Sequence, residues 1–270
     1  MEQNLSALPA HRARLSAVLR ASKQVVSVST AAGALDLGRR EAAKLLSRWR
    51  EQGWLRRVGR GLYVPVPLDL AGTAQVVEDP WILVPALFGR SYIGGWTAAH
   101  HWDLTEQLFN ETLVFTTGRV TRKRTTAQGI VFLVHHASDQ RLYGLKTIWR
   151  GTTRVNVSDA ARTLVDMLAM PDTGGGIDHV ADCLAAYLSA RDFDRDLLIH
   201  YAVQFGSGAV FKRLGFLAEV HVQDTTLAAA CHKHLTQGYA RLDPNLPCKR
   251  LVTSWRLWIP ERWSRGIHDR

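Results

Sequence analysis

The stretch RREAAKLLSRWREQGWLRRVGRGLYVP, residues 39–65, decides how this chain is read. In its first half Ala42, Leu45, Leu46 and Trp49 recur at i, i+3, i+4 and i+7, which marks one apolar helix face. Arg40, Lys44, Ser47 and Arg48 fall on the opposite face, with Arg39 at the exposed start. The spacing predicts a helix over 39–52, roughly 21 Å long and enough to lie along a DNA major groove. Gly53 stands where a left-handed residue ends a helix. The second half predicts a basic hairpin. Trp54, Leu55 and Val58 form one strand, Gly59-Arg60-Gly61 a tight turn, and Leu62, Tyr63 and Val64 the return. Pro65 and Pro67 cannot extend the ladder.

Upstream, residues 8–22 carry Leu8, Leu15, Val18 and Leu19 at helical spacing. VVSVS, residues 25–29, reads as a short strand, and Ser29 or Thr30 as the cap of a short helix ending at Leu35. Asp36, Leu37 and Gly38 form a break, and Glu41 supports the first turn of the basic helix. Gly38 brings no side-chain oxygen to cap that turn. Helix, short helix, basic helix and basic ribbon is the order of a winged helix-turn-helix. In that arrangement the basic helix enters the major groove, and Arg56, Arg57 and Arg60 on the wing approach phosphates or the minor groove.

A basic helix face by itself is most often a solvated surface. The location of the charge favours the sharper reading. The 270-residue chain has a formal net charge of +10. Residues 1–67 hold 12 Lys and Arg against 4 Asp and Glu, while the rest hold 22 against 20. Such asymmetry points to a nucleic-acid or membrane-surface module, residues 1–67, joined to a nearly neutral domain, residues 68–270. No apolar run approaches the ~20 residues of a membrane span, and the N-terminus has no signal-peptide core. A cytoplasmic protein is expected. Cys183, Cys231 and Cys248 are too few and scattered for a disulfide framework.

The larger region predicts a mixed α/β (α+β) domain with a helical C-terminal half. DPWILVPALF (79–88) is a capped apolar helix, and a short helix runs from Trp96 to Trp102. Strands are expected at 111–117 and 129–136, with the basic turn GRVTRKRTTAQG between them. A short strand ends at Ser158, the expected N-cap of a helix lined by Leu164, Val165 and Leu168. GGG at 174–176 reads as a plain flexible loop. Helices follow at 177–190, 194–205, 207–220 and 225–236, and LVTSWRLWIP as one returning strand.

Several groups invite a catalytic or metal reading. Asp159, Asp166 and Glu219 are carboxylates of the kind that collect a divalent metal in nucleases. Asp159, however, fits the first turn of a helix. Cys231 and His234 share a helix face, with His232 and His221 nearby, but a structural zinc wants four ligands. The pairs His100-His101 and His135-His136 diverge, one side chain inward and one outward. No phosphate loop, dinucleotide fingerprint or nucleophile elbow is present. Arg119, Arg122, Lys123 and Arg124 form a second basic cluster, read either as a solvated tip or as an accessory nucleic-acid contact.

WLRRVGRGLYVP, YIGGWTAAHHWDLTEQ, VNVSDAARTLVDML, GSGAVFKRLGFLAE and LDPNLP before a Trp-rich stretch occur in this order between residues 25 and 260. In that combination the chain resembles the AbiEi family, the antitoxins of AbiE-type (type IV) toxin–antitoxin systems. The resemblance implies an N-terminal winged helix that binds inverted repeats upstream of its own operon and represses it. It also implies a C-terminal domain that counteracts a nucleotidyltransferase-like toxin without requiring a stable complex. Carried over by position, the reading helix is Arg39, Arg40, Lys44, Ser47 and Arg48, and the wing is Arg56, Arg57 and Arg60. No catalytic residue, cofactor or metal is implied. Two molecules per inverted repeat are expected. A metal-dependent nuclease, or a ligand-sensing regulator with the same DNA reader, stands as the alternative.

Overall fold

The structure, a computed structural model, describes residues 9–22, 24–66 and 79–264. Leu8, Pro67, the boundary between residues 67 and 68 and the segment 265–270 lie outside the described residues. The chain folds as mixed α/β, beginning with α1 (Ala10–Ala21), β1 (Val26–Ser27), α2 (Val28–Leu35), α3 (Arg39–Glu51), β2 (Leu55–Gly59) and β3 (Leu62–Pro65). The strands pair antiparallel in the order β1-β3-β2, the arrangement of a winged helix-turn-helix. Val18, Val26, Ala31, Ala42, Leu46, Trp49, Leu55 and Tyr63 form its core.

Two local expectations change here. The strand at 25–29 shrinks to two residues, because Ser27 and not Ser29 or Thr30 is the N-cap of α2: its Oγ accepts from Thr30 N at 3.0 Å. At α3 the half of a capping box that glycine allows is present, Gly38 N donating to Glu41 Oε2 at 3.3 Å. Gly53 follows the helix with φ of 78°, and Gly61 supplies the left-handed residue of the hairpin turn with φ of 71°.

The second region is built on a six-stranded mixed sheet. Residues Pro80–Leu83 form a 3-10 turn capped by Asp79 that continues into α4 (Val84–Phe88). Then come β4 (Ser91–Ile93), α5 (Gly95–His101), β5 (Glu111–Thr116), β6 (Arg124–Ala127), β7 (Ile130–His136), β8 (Leu145–Arg150) and β9 (Thr153–Ser158). The sheet order is β6-β7-β5-β4-β9-β8. The basic stretch between β5 and β7 is not a simple turn. It contains β6, which pairs antiparallel with β7 and leaves β5 and β7 parallel neighbours. A parallel pair needs a crossover, and β6 is that crossover folded back as an edge strand.

The helical half comprises α6 (Ala160–Ala169), α7 (Ile177–Ser189), α8 (Arg195–Phe205), α9 (Gly208–Leu217) with a π turn over Ala218–Val222, and α10 (Thr225–His232). The cap of α6 is Asp159, whose carboxylate accepts from Arg162 N at 2.8 Å. Ser158 is buried instead, its hydroxyl 2.7 Å from that of Thr163. Gly174-Gly175-Gly176 is a packed corner rather than a flexible loop. Gly174 is buried against Val180 and Met167, and Gly175 and Gly176 turn the chain with φ of 78° and 96°. The C-terminal stretch is a hairpin and not one strand: β11 (Arg250–Val252) pairs antiparallel with β12 (Leu257–Ile259), and β10 (Ala240–Arg241) flanks β12 in parallel.

Two buried contacts organise this half. Arg162 is fully buried and forms an ion pair with Asp166 one turn further along α6. Tyr92 on β4 donates to Asp166 Oδ2 at 3.1 Å and accepts from Arg162 Nη2 at 3.2 Å, which ties α6 to the sheet. Burial opposes the guanidinium charge, but Asp166, Tyr92 and Tyr143 outweigh it and hold Arg162 firmly cationic. At the other contact the Trp255 indole lies directly on the backbone of Gly215, in the space a Cβ would need.

Removal of one member of a buried pair strands the other charge. Asp166→Asn is expected to cost about 3–5 kcal/mol in urea unfolding, while Arg162→Met with Asp166→Leu recovers most of the loss. Equal stability of Asp166→Asn and wild type would contradict the pair's role. Gly215→Val forces a branched side chain into a rigid, fully buried ring. A loss of about 1–3 kcal/mol or more is expected by thermal unfolding, and wild-type stability would contradict the contact.

Candidate nucleic-acid interface

The basic side chains of α3 are positioned by its apolar face. Ala42, Leu46 and Trp49 are buried in the module's core and Leu45 is half-buried, so the helix can turn only one side outward. On that side Arg40, Lys44 and Arg48 are exposed in a row, with Arg39 exposed at the start and Ser47 half-buried. Among the described residues none of Arg39, Arg40, Lys44 and Arg48 has an ion-pair partner. The acids of α3 are engaged elsewhere: Glu41 caps the helix start, and Glu51 pairs with Arg50 at 3.2 Å and accepts from Ser47 Oγ at 3.3 Å. The result is a line of uncompensated cations on a straight rod, suited to a polyanion.

The wing is short. Arg57 and Arg60 are exposed and Arg56 is half-buried. Arg57 Nε donates to Gly59 O at 3.0 Å, across the bulge in β2, so this guanidinium is held beside the turn. Trp54 packs on the module's core and stacks with His11, ring centroids 5.8 Å apart, so neither tryptophan of the stretch is a free stacking group.

The small sheet behind the wing is buried on both faces. Leu55 and Tyr63 face the helices, whereas Val58 and Val64 join Trp81, Leu83, Phe132, Val155 and Val157 in the core beneath the large sheet. Gln128, in the turn between β6 and β7, donates to Arg57 O at 2.6 Å. At the opposite end of the sheet, Gly151 in the turn between β8 and β9 packs against Gln24. The module therefore lies across one face of the sheet and is held at two far corners. Gln128 has no sequence signal of its own. The contact was invisible because it joins residues 71 positions apart.

The second basic cluster is divided. Arg119, Arg122 and Lys123 are exposed in the segment before β6, while Arg124 sits on β6 and pairs with Glu111 at 2.5 Å. Since the Gln128 turn at the end of β6 touches the wing, the cluster lies at and before the start of that edge strand, at its far end from the wing.

The tempting acids do not meet. Asp159 accepts from Tyr201 at 3.0 Å, Asp166 is consumed by Arg162 and Tyr92, and Glu219 binds the Trp255 indole nitrogen. Cys231 is buried, His232 lies tilted against Trp255 and His234 stacks on Phe211. Burial pushes the thiols of Cys183 and Cys231 up to about 12, which suits core residues and not ligands or nucleophiles. Among the described residues no group of three or more His, Cys, Asp or Glu side chains could hold a metal ion. No helix among them is long and apolar enough to cross a membrane. In the histidine pairs His101 is half-buried edge-on to Trp81 and His100 exposed, and His135 is half-buried and His136 exposed.

Comparison with known proteins agrees with this geometry. The chain superposes on a crystal structure of the RV2827C protein from Mycobacterium tuberculosis with a TM-score of 0.61 at 15% identity, covering 93% of this chain and 92% of that one. The similarity shows a shared fold over nearly the whole length. A search of curated proteins found no match. The model of a family described as transcriptional regulator, AbiEi antitoxin, matches residues 13–66, which run from α1 to just past β3 and so include the basic helix and the wing. Over residues 13–66 this winged module is similar to that of the AbiEi antitoxin transcriptional regulators.

Proposed function

We propose that the protein is a type IV antitoxin that binds an inverted-repeat operator upstream of its own operon, represses it, and counteracts a nucleotidyltransferase-like toxin. The observation that carries the reading is the row of exposed cations Arg39, Arg40, Lys44 and Arg48 on the outward face of α3, without ion-pair partners among the described residues. A helix of 13 residues, roughly 20 Å long, is of the length that one major-groove passage accepts, which supports the reading. Arg and Lys there pair with guanine N7 and O6, while Ser47 contacts the adjacent backbone or base edge. Arg56, Arg57 and Arg60 on the wing neutralise flanking phosphates.

Two molecules on one repeat follow from the symmetry of such operators. The helical half and the large sheet supply the toxin-counteracting part, without chemistry and without a cofactor. Arg119, Arg122 and Lys123 add a phosphate contact beyond the far end of β6, because that edge strand leads from the wing contact at Gln128 back to the cluster. Arg124, already paired with Glu111, contributes less.

Fluorescence anisotropy on the chain's own upstream duplex, against a scrambled duplex and across a salt series, tests the reader. Wild type is expected to prefer the upstream duplex with a steep salt slope. Alanine at Arg40, Lys44 and Arg48 together is expected to abolish the preference and to flatten the log–log slope by roughly 2–3. A triple variant that binds like wild type would overturn the assignment. Glutamine at Arg119, Arg122 and Lys123 is expected to flatten the slope without changing sequence preference. An unchanged slope would return that cluster to the solvated surface.

A further inference from the structure

The small sheet at the far end of the helical half turns a different surface to solvent. Leu257, Ile259, Val252 and the fully buried Trp255 fill its inner side. On its outer side Trp258 is 38% exposed at the centre of the three strands, and Arg241 lies directly beside it across the parallel pair. Tyr239, two residues before Arg241 and 63% exposed, continues the same row. Lys249, exposed just before β11, closes the other side. Between residues 239 and 260 the chain has four cations and one acid. That acid, Asp243, is buried, its carboxylate accepting from Ile177 N and Asn245 N.

One end of this surface carries two cations without a counter-ion. Lys212 on α9 is only 2% exposed, and its ammonium donates to Thr236 Oγ1 at 2.9 Å and to Gly238 O. Arg256 donates to Thr236 O at 3.0 Å, on the same loop. Neither has a carboxylate partner among the described residues. Burial, and then the nearby Arg256, depress the Lys212 pKa, as expected of like charges held side by side in a poorly solvated place. Arg213, the next residue, differs. It is buried, and its guanidinium donates to Leu168 O at 2.6 Å and Ala169 O at 3.1 Å, at the C-terminal end of α6, which is a structural role.

We propose that this face binds single-stranded RNA, with bases stacked on Tyr239 and Trp258 and phosphates drawn to Arg241, Lys249 and Arg256 above the buried charge of Lys212. Two exposed aromatics at a small sheet, flanked by the cations Arg241, Lys249 and Arg256, form a stacking platform with a polyanion track. A duplex does not fit, because its bases are already stacked. RNA is the nucleic acid that commonly offers unstacked bases, in loops and bulges. The site lies in a different part of the fold from α3 and is independent of the DNA reader.

The test is anisotropy of a fluorescein-labelled ten-nucleotide oligouridylate titrated with the full chain. Wild type is expected to bind, and Trp258→Ala and Tyr239→Ala each to weaken binding by roughly 5–100-fold. Trp258→Phe is expected to restore most of the loss, and Arg256→Gln to flatten the salt slope by about 0.7. The Arg40, Lys44 and Arg48 triple alanine variant should bind this RNA like wild type, so failure of the operator reading leaves the result readable. Thermal unfolding of each variant confirms that the fold is kept. Absence of binding, binding unaffected by Trp258→Ala, or binding lost in the triple variant would overturn the proposal. Equal affinity for the deoxy oligomer would overturn the choice of RNA, and displacement by an oligoglutamate peptide at equal concentration would indicate an acidic protein partner instead.

Discussion

The ribbon β2–β3 is covered on both sides, and that constraint sets the geometry of everything else. In a free winged helix one face of the small sheet meets water. Here Val58 and Val64 are buried under the large sheet while Leu55 and Tyr63 are buried under the module's helices. Burying such side chains stabilises by roughly 1.5–3 kcal/mol each, so the ribbon cannot lift away cheaply. The hydrogen bond from Gln128 to Arg57 O and the packing of Gly151 on Gln24 fix the module at two corners. The basic face of α3 consequently has a set orientation relative to the rest of the chain. Any contact with DNA presents the large sheet and helical half in a fixed position beside the duplex.

The division of charge follows the same logic. Among the described residues Arg39, Arg40, Lys44 and Arg48 stay without an ion pair because the acids of α3 are occupied by capping and by Arg50. Inside the helical half, charges are tied off by the opposite strategy. Arg162 has Asp166, and Arg213 has the carbonyls that end α6. A buried guanidinium is tolerable only when its donors are met. Lys212 meets the same rule through Thr236 Oγ1 and Gly238 O, but among the described residues neither it nor Arg256 has a carboxylate beside it, so the end of the small sheet keeps a net positive charge.

Much of the reader was legible because its signals are local. The 3.6-residue period of Ala42, Leu45, Leu46 and Trp49 found α3, and the glycines around Arg60 found the hairpin. The errors fall where pairing is non-local. β6 is short, polar and on an edge, so RTTA shows no alternation and hid inside a basic loop. The parallel pairing of β5 with β7 leaves no local trace either. The break in LVTSWRLWIP falls where Arg256 adopts φ of 50°, a conformation its residue type does not advertise. GGG at 174–176 looked like freedom, yet Gly174 is there because Val180 and Met167 leave no room. Arg162 and Asp166 carried a readable sign, a charge pair at i, i+4 inside an apolar helix, but their Tyr92 partner is 74 residues from Asp166.

The central claim is that α3 reads base edges in the major groove. Dimethyl sulfate protection reports guanine N7, which faces that groove. On the upstream duplex the account predicts protection of guanines in each half of the repeat by wild-type protein, centred one helical turn apart, and its loss when Arg40 and Arg48 are replaced by alanine. Binding that leaves every guanine N7 open to methylation would place α3 outside the major groove and contradict the account.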